Sequence, residues 1–147
     1  MENVSFESIN PIIIKQNVNI EFKSEGDNDF SDFYLILNIR INNKSFQAVT
    51  INKVTIFIGK DGDETYHNSS DLVDVISYKE YRKNIKLKNV NEFPYYLQPN
   101  ESKDITIVLG LMETDRLQFV TNGATLNFST PNKTYTLPIK SANTLEY

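Results

Sequence analysis

Between Phe33 and Ile58 the chain reads FYLILNIRINNKSFQAVTINKVTIFI, and this stretch constrains the fold more than any other. Phe33, Leu35, Leu37, Ile39 and Ile41 hold successive odd positions, while Asn38, Arg40 and Asn42 hold even ones. Strict alternation is the pattern of a half-buried strand, because successive side chains leave a strand on opposite faces. The polar turn Asn42-Asn43-Lys44-Ser45 follows, and the apolar phase resumes at Val49 and Ile51. Val54, Ile56 and Ile58 continue it after a slip at Asn52-Lys53, where an added residue reads as a bulge or a crossing between sheets. Strands with one apolar face need a second sheet to cover it.

The remaining chain supplies candidates for that sheet. Residues 1–10 are polar and read as a frayed end. Pro11 to Phe22 reads as a first strand, with Val18, Ile20 and Phe22 in alternation, and residues 23–32 and 61–71 read as polar loops. In residues 71–83 the spacing of Leu72, Ile76, Tyr78 and Tyr81 suits a helix as well as a strand, so a short helix or irregular excursion is expected there. Ile85 and Leu87, then Ile105, Ile107 and Leu109, alternate again. Leu117 and Phe119 lead into Asn122-Gly123, the dipeptide of a type I′ hairpin, after which Ala124, Leu126 and Phe128 return. The last strand carries Tyr135, Leu137 and Ile139, and its Pro138 suits only a sheet edge or strand end. The expected fold class is all-β: one domain, a two-sheet sandwich of roughly seven to nine antiparallel strands, with one short helix near 71–83.

A chain of 147 residues is long enough to bury a substantial core in one domain. It has no cysteine, which removes disulfides, thiolate zinc sites and thiol nucleophiles together and suits a reducing compartment. A net charge of −4 gives no general attraction to nucleic acid or to anionic membranes. MENVSFESIN has no basic start and no apolar run, and no stretch approaches the ~20 apolar residues of a membrane helix. The expected localisation is cytoplasmic, although a trimmed secreted domain would read alike. Asn-x-Ser/Thr occurs repeatedly, as at Asn3 and Asn127, in a chain rich enough in these residues to produce it by chance.

Leu35–Ile51, Lys60-Asp-Gly-Asp-Glu-Thr-Tyr66 and Leu97-Gln-Pro-Asn-Glu-Ser102 together resemble bacterial immunoglobulin-like accessory domains, including the telokin-like group. The closing Asn132-Lys133-Thr134-Tyr135 is similar to the Gly-Lys-x-Tyr strand opener of such domains. Asn132 and Asn100 stand where those domains carry Gly. The resemblance spans about residues 33–140 and rests on strand and turn requirements. It implies an immunoglobulin-like sandwich without shared catalytic residues.

Several residues could carry chemistry. Asp61-Gly62-Asp63 and Asp27-Asn28-Asp29 begin like calcium loops, but Tyr66 and Asp32 fall at the sixth position, where the sharp turn requires Gly. His67, the only histidine, lies beside Ser69, Ser70 and Asp71, too close in sequence for an ordinary catalytic triad. No cofactor or metal ligand set is legible, and the chain does not read as an enzyme. The densest aromatic and basic mix is Tyr78, Tyr81, Arg82 and Lys83 with Tyr95 and Tyr96, the side-chain types that interfaces favour. The competing reading is that Phe93 and one or both of Tyr95 and Tyr96 pack into the core. The function expected is a non-catalytic protein–protein interaction module: an adaptor, inhibitor or assembly component of the kind a phage or mobile element encodes. The alternative is a calcium- or carbohydrate-binding surface domain.

Overall fold

The computed structural model describes residues 1–15, 20–22, 31–80, 83–87 and 89–147. Strands dominate them. In chain order they are β1 (Val4–Ser8), β2 (Ile12–Lys15), β3 (Ile20–Phe22), β4 (Phe33–Asn43), β5 (Val49–Ile51), β6 (Lys53–Ile58) and β7 (Thr65–Asn68). There follow β8 (Val75–Glu80), β9 (Lys83–Lys86), β10 (Tyr95–Leu97), β11 (Ser102–Leu111), β12 (Ala124–Ser129), β13 (Thr134–Ile139) and β14 (Leu145–Glu146). One α-helix, α1 (Glu113–Asn122), separates β11 from β12.

β4 is the central strand. One edge pairs with β11 over the whole span from Phe33↔Leu111 to Asn42↔Ser102. The other edge takes β1 along its C-terminal half and β2 along its start. Between Ser8↔Ile39 and Ile12↔Ile36 the N-terminal side advances four positions while β4 advances three. The extra residue falls within Ile9-Asn10-Pro11 and reverses the phase, as a bulge must. Val4 therefore faces the main core before it and Ile13 after it. The sequence reading of residues 1–10 as a frayed end is corrected here, because β1 is a paired strand. Its Phe6 ring stacks on Phe128 of β12 at 4.4 Å, across the gap between two sheets.

The facing sheet runs β13-β12-β6-β7. Inward residues of β4 and β11 (Leu35, Leu37, Ile39, Ile105, Ile107) meet Val54, Ile56 and Ile58 of β6 and Leu126 and Phe128 of β12. The slip at Asn52 is a sheet crossing: β5 pairs with β10, whereas β6 pairs with β12 and β7. Pro138 lies in the edge strand β13, where its missing donor costs no ladder bond.

Three expectations are corrected. First, β4 is half-buried only in its second half. Tyr34, Ile36 and Val108, on the outer face, join Ile14, Ile20, Val75, Tyr78 and Val90 in a second core beneath the small sheet β3-β8-β9. The fold thus adds a third layer, and the β2–β14 pair is parallel, so the strands are not all antiparallel. Second, residues 75–80 are β8, with a short 3-10 turn at Ser69–Asp71 and β7 inside the stretch read as a loop. β8 pairs with β3 through a register shift between Glu21 and Phe22, which pair with Ser77 and Val75. Ile76 is the unopposed residue, so Val75 and Tyr78 share a face although three apart in sequence. Third, Asn122-Gly123 closes a helix instead of a hairpin. Gly123 has φ 75° and donates its N–H to the Phe119 carbonyl at 2.7 Å, and a Cβ there would clash with the Ile139 carbonyl oxygen. Acidic Glu113 and Asp115 in the first turn and Gly after the last are the start and stop signals of a helix.

Burial on both faces of β4 is testable. Leu37→Ala and Ile36→Ala, both fully buried, should each cost about 2–5 kcal/mol in a denaturant titration. If Ile36→Ala proved near-neutral, the outer layer would not be packed as described.

Candidate functional site

Among the described residues, the structure separates the tyrosines that sequence grouped in a partner-binding cluster. Tyr78 is 3% exposed and belongs to the second core; Tyr95 is 2% exposed and belongs to the first. The Tyr95 hydroxyl donates to the Asn89 carbonyl at 2.5 Å and accepts from the Glu92 N–H at 3.1 Å. Phe93 packs edge-on against its ring at 4.8 Å. Tyr96, the outward neighbour on β10, is 64% exposed. Lys83 opens β9 opposite Glu80, while Tyr81 and Arg82 lie outside the described residues. Tyr95 and Tyr96, neighbours on one strand, therefore divide as alternation demands: one in, one out.

The two acidic loops give little chemistry. Asp27 to Asp29 lie outside the described residues, and no three His, Cys, Asp or Glu side chains among the described ones are grouped to hold a metal ion. Near His67, Ser69 and Asp71 are engaged with backbone. Ser69 Oγ accepts from the Val54 N–H at 2.9 Å and donates to its carbonyl at 3.2 Å, and Asp71 accepts from the Asn68 N–H at 2.9 Å. Among the described residues no helix is long and apolar enough to cross a membrane.

A different feature stands out at the end of the sheets where β4 finishes and β11 begins. Asn43, the last residue of β4, is buried, and its carboxamide organises the whole β4–β5 loop. Nδ2 donates to the carbonyls of Gln47 at 2.9 Å, Gln98 at 3.1 Å and Leu97 at 3.4 Å, and Oδ1 accepts from the Ser45 N–H at 3.0 Å. Ser45 is equally buried; its Oγ accepts from the Asn3 N–H at 2.6 Å and donates to the Asn3 carbonyl at 3.3 Å. The Lys44 N–H reaches the same carbonyl at 2.8 Å. The adjoining Gln98–Glu101 turn places Asn100 at φ 61°, a left-handed position that Asn tolerates in place of Gly.

From this braced loop Phe46 projects with 95% of its surface exposed, flanked by exposed Lys44, Gln47 and Ala48. Tyr96 stands on β10 opposite Thr50 of β5, the strand the loop leads into. Sequence reasoning passed over Phe46, yet it carries a signal. It is an apolar residue at an even position between odd-numbered core residues on both sides, out of phase with the buried face.

The N-terminal segment ties this end together. Beside Asn3, the Glu2 carboxylate accepts from Tyr135 Oη at 2.9 Å, Thr130 Oγ1 at 3.0 Å and Asn132 Nδ2 at 3.4 Å, with Lys133 Nζ 4.6 Å from the Tyr135 ring centre. One short segment thus clamps the β4–β5 loop on one side and the β12–β13 turn on the other.

No family model and no curated protein matches the chain. Among solved structures it is similar to a protein assigned as ApaA from Bordetella pertussis, at 12% identity over 94% of this chain and 89% of that one, with a TM-score of 0.38. A second structural-genomics target shows 14% identity over 95% and 81%, with a TM-score of 0.34. A β-glucosidase of intestinal bacteria involved in saponin metabolism shows 12% identity and a TM-score of 0.32; the match covers 92% of this chain but 16% of the enzyme. Likenesses this distant carry no functional argument.

Burial pushes the phenols of Tyr95 and Tyr135 up to about 12, and at Tyr135 the hydrogen bond and charge of Glu2 add to it. An unfolded tyrosine ionises near pH ~10, so above that pH the unfolded chain loses these protons while the fold retains them. The stability they contribute is complete below pH ~10 and is lost as pH rises towards 12. Urea midpoints measured from pH 9 to 12 should fall, and fall less steeply in Tyr95→Phe and Tyr135→Phe. Parallel pH profiles for wild type and both variants would contradict this.

Proposed function

We propose that the chain is a non-catalytic protein-binding module, an immunoglobulin-like sandwich that presents its Phe46 end to another protein. The observation that carries the reading is a fully exposed phenylalanine on a loop whose shape is fixed by two buried polar residues. Exposing Phe46 forgoes about 1.5–3 kcal/mol of burial that a partner's apolar pocket can supply. Because Asn43, Ser45 and Asn3 already order the loop backbone, little conformational entropy remains to be lost on docking. Tyr96 adds a second aromatic side chain, the residue type in which binding hot spots are enriched. Facing apolar rows on β4, β11, β6 and β12, with Asn100 in the turn position that Gly holds in immunoglobulin-like domains, support the architectural half of the reading. An adaptor, inhibitor or assembly component would use such an end.

The test begins with cross-linking in native cells through a photoreactive residue at position 46, followed by titration of the purified captured protein. Phe46→Ala and Tyr96→Ala should each weaken binding by more than about 1 kcal/mol with folding retained. Asn43→Ala should weaken it too, while costing about 1–3 kcal/mol of stability through orphaned buried carbonyls. If both aromatic variants bound normally while Tyr81→Ala or Arg82→Ala lost binding, the contact surface would belong to the Tyr78–Lys83 segment. If binding followed calcium and Asp61 or Asp63 instead, the module would be a metal-dependent one.

A further inference from the structure

At the opposite end of β4, the sheet has an edge that the chain fills with its own C-terminal segment. Among the described residues β2 pairs with β4 along one side and with β14 along the other, in parallel, through Leu145↔Ile12 and Glu146↔Ile13. The contact is largely backbone. Leu145 N–H donates to the Pro11 carbonyl at 2.9 Å, Tyr147 N–H to Ile13 at 2.9 Å, and Lys15 N–H to Tyr147 at 3.2 Å. Little apolar surface is buried in exchange, since Leu145 and Tyr147 remain 46% and 39% exposed. A side-chain tie comes from α1: Arg116 donates to Glu146 at 2.7 Å. Arg116 is itself held in place, with its guanidinium 4.9 Å from the Phe33 ring centre and a second contact to Glu113 at 3.4 Å.

Backbone ladder bonds are indifferent to the sequence that makes them, and an exposed ion pair of this kind holds only weakly. Any extended segment with an acidic side chain at the Glu146 position satisfies the same donors and acceptors. We propose that the β2 edge with Arg116 is a strand-acceptor site, occupied by β14 in the free protein, whose partner is an extended peptide running parallel to β2 with a carboxylate flanked by apolar residues. The site lies away from Phe46, so it stands or falls independently of the surface proposed above.

The experiment uses the full chain and a fluorescent peptide, SANTLEY with an acetylated N-terminus. Wild type should bind it poorly, because β14 competes from the same chain. Glu146→Lys, which sets a cation against Arg116 and loosens β14, should bind it at least about tenfold tighter. Tyr147→Pro, which removes the N–H to Ile13 but spares the ion pair, should act in the same direction and serves if the first variant folds poorly. In both variants the Lys15 amide should exchange its hydrogen faster when free and be protected again by peptide. Adding Arg116→Ala, or replacing the peptide's glutamate by glutamine, should cancel the gain. The proposal is overturned if neither variant gains affinity, or if the gain ignores both Arg116 and the peptide carboxylate. A variant dimer that excess peptide cannot dissociate would also overturn it, since the occupant would then be a second copy's β14.

Discussion

The long β4–β11 ladder is the interaction on which everything else depends. Its inward row carries the main core against β6 and β12, and the outer face of its first half carries a second core under β3 and β8. Residues Phe33 to Leu37 are therefore buried on both faces, like a strand inside a three-layered fold. The polar residues of the second half mark where that cover ends. Asn38 Oδ1 accepts from Thr106 Oγ1 at 2.9 Å, and Arg40 forms a two-pronged pair with Asp104 beginning at 2.8 Å. Thr106, the buried member of these pairs, has its partner across the ladder, whereas Arg40 and Asp104 pair in solvent.

Where β4 ends, the molecule invests its buried polarity in shape. Asn43 and Ser45 use their hydrogen-bonding capacity on backbone groups of three separate segments: the loop itself, the end of β10 with the following turn, and Asn3. The side chain thereby left outside, Phe46, is apolar. Neither observation alone argues for a binding surface, since single exposed apolar residues are common. Their combination does, because a loop fixed this firmly gives an exposed ring a defined direction. At the other end of β4 the arrangement is reversed: a short segment with little buried surface sits on an edge by backbone bonds and one ion pair.

The alternation along β4, β5–β6, β11 and β12 determined the inward face residue by residue. Period two in a sequence has one physical reading when the apolar set is this regular. The slip at Asn52 and the constraint on Pro138 were legible for the same reason, since an added residue and a missing donor have local consequences, but tertiary structure chose the crossing over a bulge and the edge over a strand end. The sequence could not decide whether the opposite face was covered. Tyr34 and Ile36 look like ordinary strand residues until β3 and β8 are laid over them, and a register shift in β8 puts Val75 and Tyr78 on one side, which strict alternation does not anticipate. Helix α1 was hidden by its thin apolar stripe, with Phe119 as its one fully buried residue. The candidate site shows the same division. That the segment from Tyr78 to Tyr96 is rich in aromatic and basic residues is a property of the sequence. That Tyr78 and Tyr95 point into cores while Phe46 points into solvent was settled only by tertiary packing, since exposure depends on what the rest of the chain lays over a residue.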